Sequence, residues 1–275
     1  MRQLFRVIVC CSALLAVSAA TAHAQYRQYK PDEQTSVGEA YHAEFSFDFW
    51  NPNPALTIAS ESLGIIGDEI DAVNDLGFTK STFREMKVAL RPAKKHKFRF
   101  EFTPITFSAE TVLKRDIIYN GILYRASLPV NSELSWKQYG FSYEYDFVYQ
   151  PRWYVGVVLG AKYTQVHTAL ESPVDREYND VSAPIPAIGG VFRGYVLKNL
   201  AITAQYDYFN LPDNVDKKGR YDGKTNDLNI YGTFNFTNNI GANVGYRWMQ
   251  VSYKVEHDNG DFSLKGFYAG AVARF

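Results

Sequence analysis

The sequence predicts an all-β protein: a single antiparallel, up-and-down transmembrane β-barrel of about ten strands, with eight or twelve strands as alternatives. Segments in which apolar and polar residues alternate strictly recur along the chain. Tyr and Phe are abundant, at 20 and 19 copies, although no run of about 20 apolar residues follows residue 24. The links between the segments are alternately short and long, as expected when turns lie on one side of a membrane and loops on the other.

The first 24 residues are predicted to be a cleaved secretory signal peptide. Arg2 and Arg6 flank the start of an apolar run over 7–20, and Ala22-His23-Ala24 follows as a small-residue cleavage site. The run is shorter than a spanning helix needs, and a retained membrane anchor is the alternative. Residues 25–38 are then an N-terminal segment and residues 39–275 the barrel.

The exported chain is predicted to lack disulfides and to be nearly neutral. Both cysteines, Cys10 and Cys11, lie in the predicted leader. Without Arg2 and Arg6 the chain carries 27 basic and 29 acidic side chains, a net charge of −2. A nucleic-acid-binding protein would normally show a basic excess, so that class is disfavoured.

Ten segments with a period of two are the predicted strands. They are 41–50, 82–92, 96–103, 137–149, 153–164, 186–197, 200–209, 228–237, 240–248 and 265–275. In the first, Tyr41 and Phe45 fall on the outward apolar face and Glu44 and Asp48 on the inward polar face. In the fourth, the apolar face ends at Tyr149.

The links between these segments support a membrane barrel. Short links are predicted at 93–96, 150–152, 197–199 and 237–239, and long ones at 51–80, about 109–133, 171–183, 212–224 and 257–260. A soluble β-sandwich is the alternative, but its apolar faces would be rich in Val, Ile and Leu rather than Phe and Tyr. Trp153, Trp50 and Trp248 lie near strand ends, where aromatic girdles meet the membrane surface.

The last predicted strand carries a more specific motif. Phe275 is preceded by Ala273, Gly270 and Tyr268 at two, five and seven positions. With the strand pattern, this motif resembles the family of small bacterial outer-membrane β-barrel proteins, although Ala273 is smaller than the usual residue. The resemblance implies that the barrel-assembly machinery reads this strand. The alternative is that Phe275 is simply a lipid-facing anchor.

The same resemblance sets expectations for location and partners. It implies a bacterial outer-membrane location and contact with outer-membrane lipids and lipopolysaccharide. The chain is further expected to be a monomer without cofactor, with both termini periplasmic. An even strand count is consistent with both termini on one side. Nucleic acid is not an expected partner.

The barrel interior is predicted to hold charges of both signs. The predicted set is Glu44, Asp48, Glu85, Lys87, Arg91, Arg99, Glu101, Glu144, Asp146, Lys162, Arg193, Asp207, Arg247 and Arg274. Strand neighbours predict pairs of Arg99 with Glu144 or Asp146, of Arg193 with Asp207, and of Arg274 with Glu44 or Asp48. Because unpaired buried charge is costly, a filled interior is expected, with a narrow polar pathway as the alternative.

Two loops have distinctive patterns. In 51–80, Leu63, Ile66, Ile70 and Val73 have helical spacing, which predicts either an amphipathic lid or plug, or packing on a barrel extension. Asn120-Gly121 between apolar pairs predicts a hairpin, and hence a β-arm that projects from the third and fourth strands.

No catalytic or metal-binding residue is assigned. Loop candidates for catalysis are His167, Asp175, Glu177, Asp180, Asp213, Asp216, His257 and Asp258, but they form no recognised motif. The acidic stretch 175–180 is either solvated or binds cations that bridge lipopolysaccharide. The expected function is a non-enzymatic narrow pore, small-solute carrier or structural surface protein. The alternative is an outer-leaflet enzyme acting on lipid A, phospholipid or peptides.

Overall fold

The wall of the protein is built from ten long strands. The computed structural model describes residues 36–59, 67–211, 221–255 and 258–275. No helix within these ranges is long and apolar enough to cross a membrane. The wall strands are β1 (Ala43–Ala59), β3 (Phe83–Ala93), β4 (His96–Val112), β7 (Pro129–Gln150), β8 (Trp153–Glu171), β9 (Arg176–Leu197), β10 (Leu200–Asn210), β11 (Tyr221–Asn235), β12 (Ile240–Val255) and β13 (Asp258–Arg274).

The wall closes on itself. Each wall strand pairs antiparallel with the next along the chain, and β13 pairs with β1 from Glu44↔Arg274 to Ala59↔Asn259. The predicted ten-stranded, up-and-down antiparallel barrel is therefore confirmed. We call the end with the short turns the lower end and the opposite end the upper end.

Three short strands lie outside the wall. They are β2 (Ile70–Asp71), β5 (Ile117–Tyr119) and β6 (Ile122–Tyr124). β2 pairs with the upper part of β1, and β5 and β6 form a separate two-stranded sheet. Asn120 and Gly121 between them have φ of 49° and 82°, the left-handed values that a tight hairpin turn requires.

Several predicted loops are wrong, because the wall strands continue beyond the predicted segments. Residues 51–59, 109–112, 129–133, 176–183, 221–224 and 258–260 are strand. The alternation persists there, but its phase inverts: apolar side chains face outward in the lower half and inward in the upper half. On β4, Phe100 faces outward and Ile105 and Phe107 are buried inside. A sequence search that follows a single apolar face along a strand therefore ends the strand too early, at this inversion.

The inversion also corrects the prediction for Trp50. This side chain is fully buried inside the barrel, where its Nε1 donates a hydrogen bond to the Gly266 carbonyl oxygen at 3.2 Å. Trp153, in contrast, faces outward and is exposed. Trp50 therefore belongs to the interior and not to an aromatic girdle.

Two tyrosines predicted to face outward lie inside. β1 begins only at Ala43, so Tyr41 precedes the regular alternation and turns inward beneath Arg91 and Arg274. The register of β7 shifts between Tyr145 and Val148, which places Tyr149 inside, where its hydroxyl accepts a hydrogen bond from Arg91. A β-bulge of this kind is not visible in a strict two-residue pattern.

The loop and the hairpin of the upper end fold over the barrel interior. Residues 67–82 contain β2 and turns rather than the predicted helix, and Ile70, Leu76 and Phe78 are buried. The predicted Leu63 and Ile66 lie outside the described residues. The β5–β6 hairpin does not project as an arm, because the Tyr119 and Tyr124 side chains are buried against β8.

Candidate functional site

The interior has two layers, and the upper one is apolar. Inward side chains of the wall, of residues 67–82 and of the β5–β6 hairpin form one buried cluster. Its larger members are Trp50, Leu56, Phe78, Phe83, Ile105, Phe107, Ile117, Tyr119, Tyr124, Leu134, Trp136, Leu170, Met249, Phe262 and Leu264. Phe78 stacks on Phe107 with ring centroids 5.7 Å apart. This apolar layer fills the upper half of the barrel.

Polar contacts hold the covering segments in place. The Tyr119 hydroxyl bonds to Thr168 Oγ1 at 2.7 Å, and the Tyr124 hydroxyl donates to the Leu170 carbonyl oxygen at 3.1 Å. Burial raises the pKa of Tyr119 to about 12. Arg115 bonds to Asp75 at 2.7 Å, and this hydrogen bond lowers the pKa of the Asp75 carboxyl. The hairpin and the loop are therefore part of the packed interior.

The lower layer is ionic, and Arg247 lies at its centre. Its guanidinium donates two hydrogen bonds to Asp227, at 2.6 and 2.9 Å, and one to Glu85. The Lys162 ammonium lies 2.6 Å from the same Asp227 carboxylate. Lys87 lies 3.2 Å from Glu85, so five side chains of alternating charge form one connected network.

A second ionic group lies closer to the lower end. Glu144 contacts Arg99 and lies 2.7 Å from Lys97 Nζ, which also lies 3.2 Å from Asp146. Glu39 enters the barrel just ahead of β1, where it contacts Arg91 at 2.9 Å and Arg193 at 3.6 Å. The chain before β1 thus supplies a carboxylate to the interior.

The space left between these charges is small. A polar cavity of about 60 Å³ lies in the ionic layer, lined by Tyr41, Asp48, Lys87, Arg99, Glu101 and Arg193 among others. A volume of this size admits a few water molecules and nothing larger. Among the described residues the interior is therefore largely filled, and this polar space is a pocket within the ionic layer.

All fourteen residues of the predicted charge set lie inside the barrel. Arg99 contacts Glu144, and Arg274 Nε lies 2.5 Å from Glu44 Oε2, so these two predicted pairs form. The predicted pair of Arg193 with Asp207 is wrong. Arg193 instead contacts Glu39, and Lys162 lies 4.0 Å from Asp207.

Three charged interior residues are missing from the predicted set. Lys97 lies on the inward parity within the predicted segment 96–103, and Asp227 lies one residue before the predicted segment 228–237, so the alternation itself indicates both. Glu39 lies in irregular chain ahead of β1, where no periodicity marks an inward side chain. It is also the acid that replaces Asp207 as the partner of Arg193.

The residues of the predicted assembly motif lie in the seam between β1 and β13. Tyr268 is buried and donates to Asn229 Oδ1 at 2.8 Å, whereas Phe275 faces outward with 76% of its side chain exposed. A Cβ at Gly270 would lie 2.2 Å from the Phe47 carbonyl oxygen and from Asp48 Oδ1. Strand packing at the seam therefore requires glycine at this position.

Those predicted catalytic candidates that the structure describes are dispersed over the upper end. Asp213, Asp216 and His257 lie outside the described residues. Glu177 accepts a hydrogen bond from Asn120, Asp258 accepts one from Asn179, and Asp175 lies in the β8–β9 turn. His167 and Asp180 do meet, with Nδ1 and Oδ1 2.7 Å apart. Within the described ranges no His, Cys, Asp and Glu side chains are grouped as a metal site would need.

A known structure shares this architecture. The outer membrane protease OmpT from Escherichia coli superposes with a TM-score of 0.58 at 10% sequence identity, covering 85% of this chain and 97% of OmpT. The translocator domain of the autotransporter NalP from Neisseria meningitidis gives a TM-score of 0.39 at 10% identity, covering 86% of this chain and 88% of that domain. Neither a protein-family model nor a curated protein matches the sequence.

The chain has the fold of bacterial outer-membrane β-barrels. At 10% identity the likeness to OmpT is one of fold, so the chemistry of this barrel has to be argued from its own residues.

Proposed function

We propose that this chain is an integral protein of the bacterial outer membrane whose barrel is closed to solutes and whose role lies on its outer surface. The lower end, with residues 36–42, would face the periplasm, and the upper end the cell exterior. Outer-membrane lipids and lipopolysaccharide would surround a monomeric barrel that the barrel-assembly machinery had inserted.

The outward face of the lower half supports a lipid environment. Large apolar side chains are exposed along the wall strands, including Phe45, Phe49, Phe100, Phe141, Phe147, Val157, Leu159, Ile188, Phe192, Ile230, Val244 and Phe267. A contiguous apolar surface of this extent is unfavourable in water and favourable against lipid chains. Within the part of the chain that the structure describes, the closed wall also leaves no unpaired strand edge in this half, as a bilayer requires.

The apolar layer is the main observation in support of a barrel that is closed to solutes. A pore or carrier needs a continuous polar path or a ligand-sized cavity. Here the buried side chains around Trp50, Phe107 and Trp136 fill the upper half, and the ionic layer beneath them holds a cavity of about 60 Å³. A solute would have to displace the hairpin, the loop of residues 67–82 and several buried ion pairs to cross.

Conductance in planar bilayers tests this proposal. We expect the refolded protein, with folding verified by its gel mobility before and after heating, to give no stable single-channel steps, while an open porin reconstituted in parallel conducts. Reproducible steps from the folded protein would overturn closure. If a variant with residues 114–127 replaced by a short Gly-Ser link also fails to conduct, the ionic layer alone suffices to block ions.

A further inference from the structure

The upper wall brings a serine, a histidine and an aspartate into one row. Ser135 on β7 pairs directly with His167 on β8, and His167 pairs directly with Asp180 on β9. All three lie on the outward parity of their strands. Because neighbouring strands are about 4.8 Å apart, the backbones of Ser135 and Asp180 are separated by about 10 Å, with the imidazole between them.

The contact with Asp180 fixes the tautomer of the imidazole. His167 Nδ1 lies 2.7 Å from Asp180 Oδ1. A carboxylate can only accept, so Nδ1 carries the hydrogen, and Nε2 of the neutral ring keeps a free lone pair. Tyr178 stacks on the ring with centroids 6.0 Å apart, which limits its rotation. His167 is thereby prepared to accept a proton at Nε2.

The row is accessible from outside the barrel. The side chains of His167 and Asp180 are 41% and 64% exposed, and Ser135 is half-buried beside them. Lys137 and Tyr139 follow Ser135 on the same face toward the lower end, and Tyr139 pairs with Tyr163 on β8. This aromatic row lies about 13 Å along the strands from Ser135, so the three residues face the zone just above the lipid-facing surface.

We propose that Ser135, His167 and Asp180 form a hydrolytic site for carboxylic esters on the outer face of the barrel. Ser135 Oγ attacks the ester carbonyl carbon while His167 Nε2 takes its proton. The carbon–oxygen bond to the alcohol breaks, and the alcohol leaves with that proton. Water, deprotonated by Nε2, then attacks the acyl-serine and releases the acid and Ser135. Asp180 orients the ring and stabilises its charged form.

Ser135 Oγ forms no hydrogen bond to His167 within the described structure. The mechanism requires Ser135 Oγ to come within hydrogen-bond reach of His167 Nε2 when substrate binds, and catalytic hydrogen bonds often tighten only with substrate present. The ammonium of Lys137, two residues along β7, supplies positive charge on the face where the oxyanion develops.

A fluorophosphonate probe tests the nucleophile in the folded barrel. We expect labelling on the peptide that contains Ser135, abolished by Ser135→Ala and His167→Ala. With Asp180→Asn we expect the labelling rate to fall by a factor of about 10³ to 10⁴. Ser108→Ala is the matched control, because Ser108 is an exposed, outward-facing serine on β4 that pairs with Glu133. Labelling that persists in Ser135→Ala, or its absence from the folded wild type, would overturn the proposal.

Turnover distinguishes the two sources of ester. Fatty-acid release from phospholipid vesicles and hydrolysis of a soluble p-nitrophenyl ester are measured for the wild type, Ser135→Ala and Ser108→Ala. Release that requires Ser135 in the vesicles identifies a membrane lipid, and release only from the soluble compound identifies a soluble ester. Equal rates in the wild type and Ser135→Ala for both compounds would refute the site. Conductance does not enter either assay, so closure of the barrel is judged separately.

Discussion

At the scale of single residues, Arg247 shows how charges persist inside the barrel. Its side chain is 2% exposed, and its partners Glu85 and Asp227 are 0% and 4% exposed. A buried guanidinium is tolerated when each of its charged neighbours is hydrogen-bonded, and the bidentate contact with Asp227 meets that condition. The lower layer is stable as a complete set and vulnerable to the loss of one member.

We expect Arg247→Met to lower the free energy of unfolding by about 3–5 kcal/mol, because it leaves two carboxylates buried without their main partner. Arg176→Met is the control, since Arg176 is 69% exposed and lies 3.8 Å from an exposed Glu171. Its effect should stay below about 1 kcal/mol. Urea unfolding of the refolded barrel in detergent measures both variants. Equal losses of unfolding free energy in the two variants would show that the interior network contributes no more to stability than an exposed ion pair does.

At the scale of elements, the seam between β1 and β13 decides whether the sheet becomes a barrel. Asp48 pairs with Gly270, and the space above Gly270 is filled by Asp48 and the backbone of Phe47. Phe275 extends the seam, since its backbone N–H donates to the Ala43 carbonyl oxygen at 2.8 Å. Local sterics at one glycine therefore control a contact between the two ends of the sheet.

Gly270→Val should disrupt closure, because its Cβ would overlap backbone that cannot move without opening the seam. Gly223→Val on β11 is the matched control, as a Cβ there meets nothing within 4 Å. We expect the first variant to lose most of its heat-modifiable, fast-migrating band on gels and the second to keep it. A normal band from Gly270→Val would mean that the seam repacks.

At the scale of the whole molecule, the last strand closes the wall and also carries large apolar side chains that face outward. Phe275 and Phe267 face outward on the same strand and are 76% and 71% exposed. They contribute nearly equal lipid-facing area, but only Phe275 occupies the last position of the predicted assembly motif. Substitution of these two residues therefore distinguishes recognition of the strand by the assembly machinery from simple anchoring in lipid.

Phe275→Ala is expected to lower the yield of assembled barrel several-fold in cells while leaving export across the inner membrane intact. Phe267→Ala should assemble at close to the wild-type yield. Gel mobility of the outer-membrane fraction, with and without heating, measures assembled protein, and periplasmic extracts report export. A similar loss of assembled protein in both variants would favour simple anchoring in lipid and contradict recognition of the motif by the assembly machinery.

The sequence by itself determined the closed barrel, its strand count and its charged interior. The two-residue alternation records which side of the wall each residue faces, and a wall between lipid and interior makes that pattern clear on segments such as 96–103 and 137–147. The placement of Glu85, Arg247 and Arg274 follows from the same parity, since a strand of fixed register cannot place them elsewhere.

The tertiary structure alone decided where the phase inverts, how the upper end is filled and which charges meet. Leu134 and Trp136 are buried in one cluster with residues of the hairpin and of the loop 67–82, and that cluster depends on contacts between distant segments. Glu39 reaches Arg193 across more than 150 residues of chain, and Ser135, His167 and Asp180 form a row only through strand register. Alternation assigns a side chain to a face, but its height in the wall and its neighbours are fixed by pairing across the sheet.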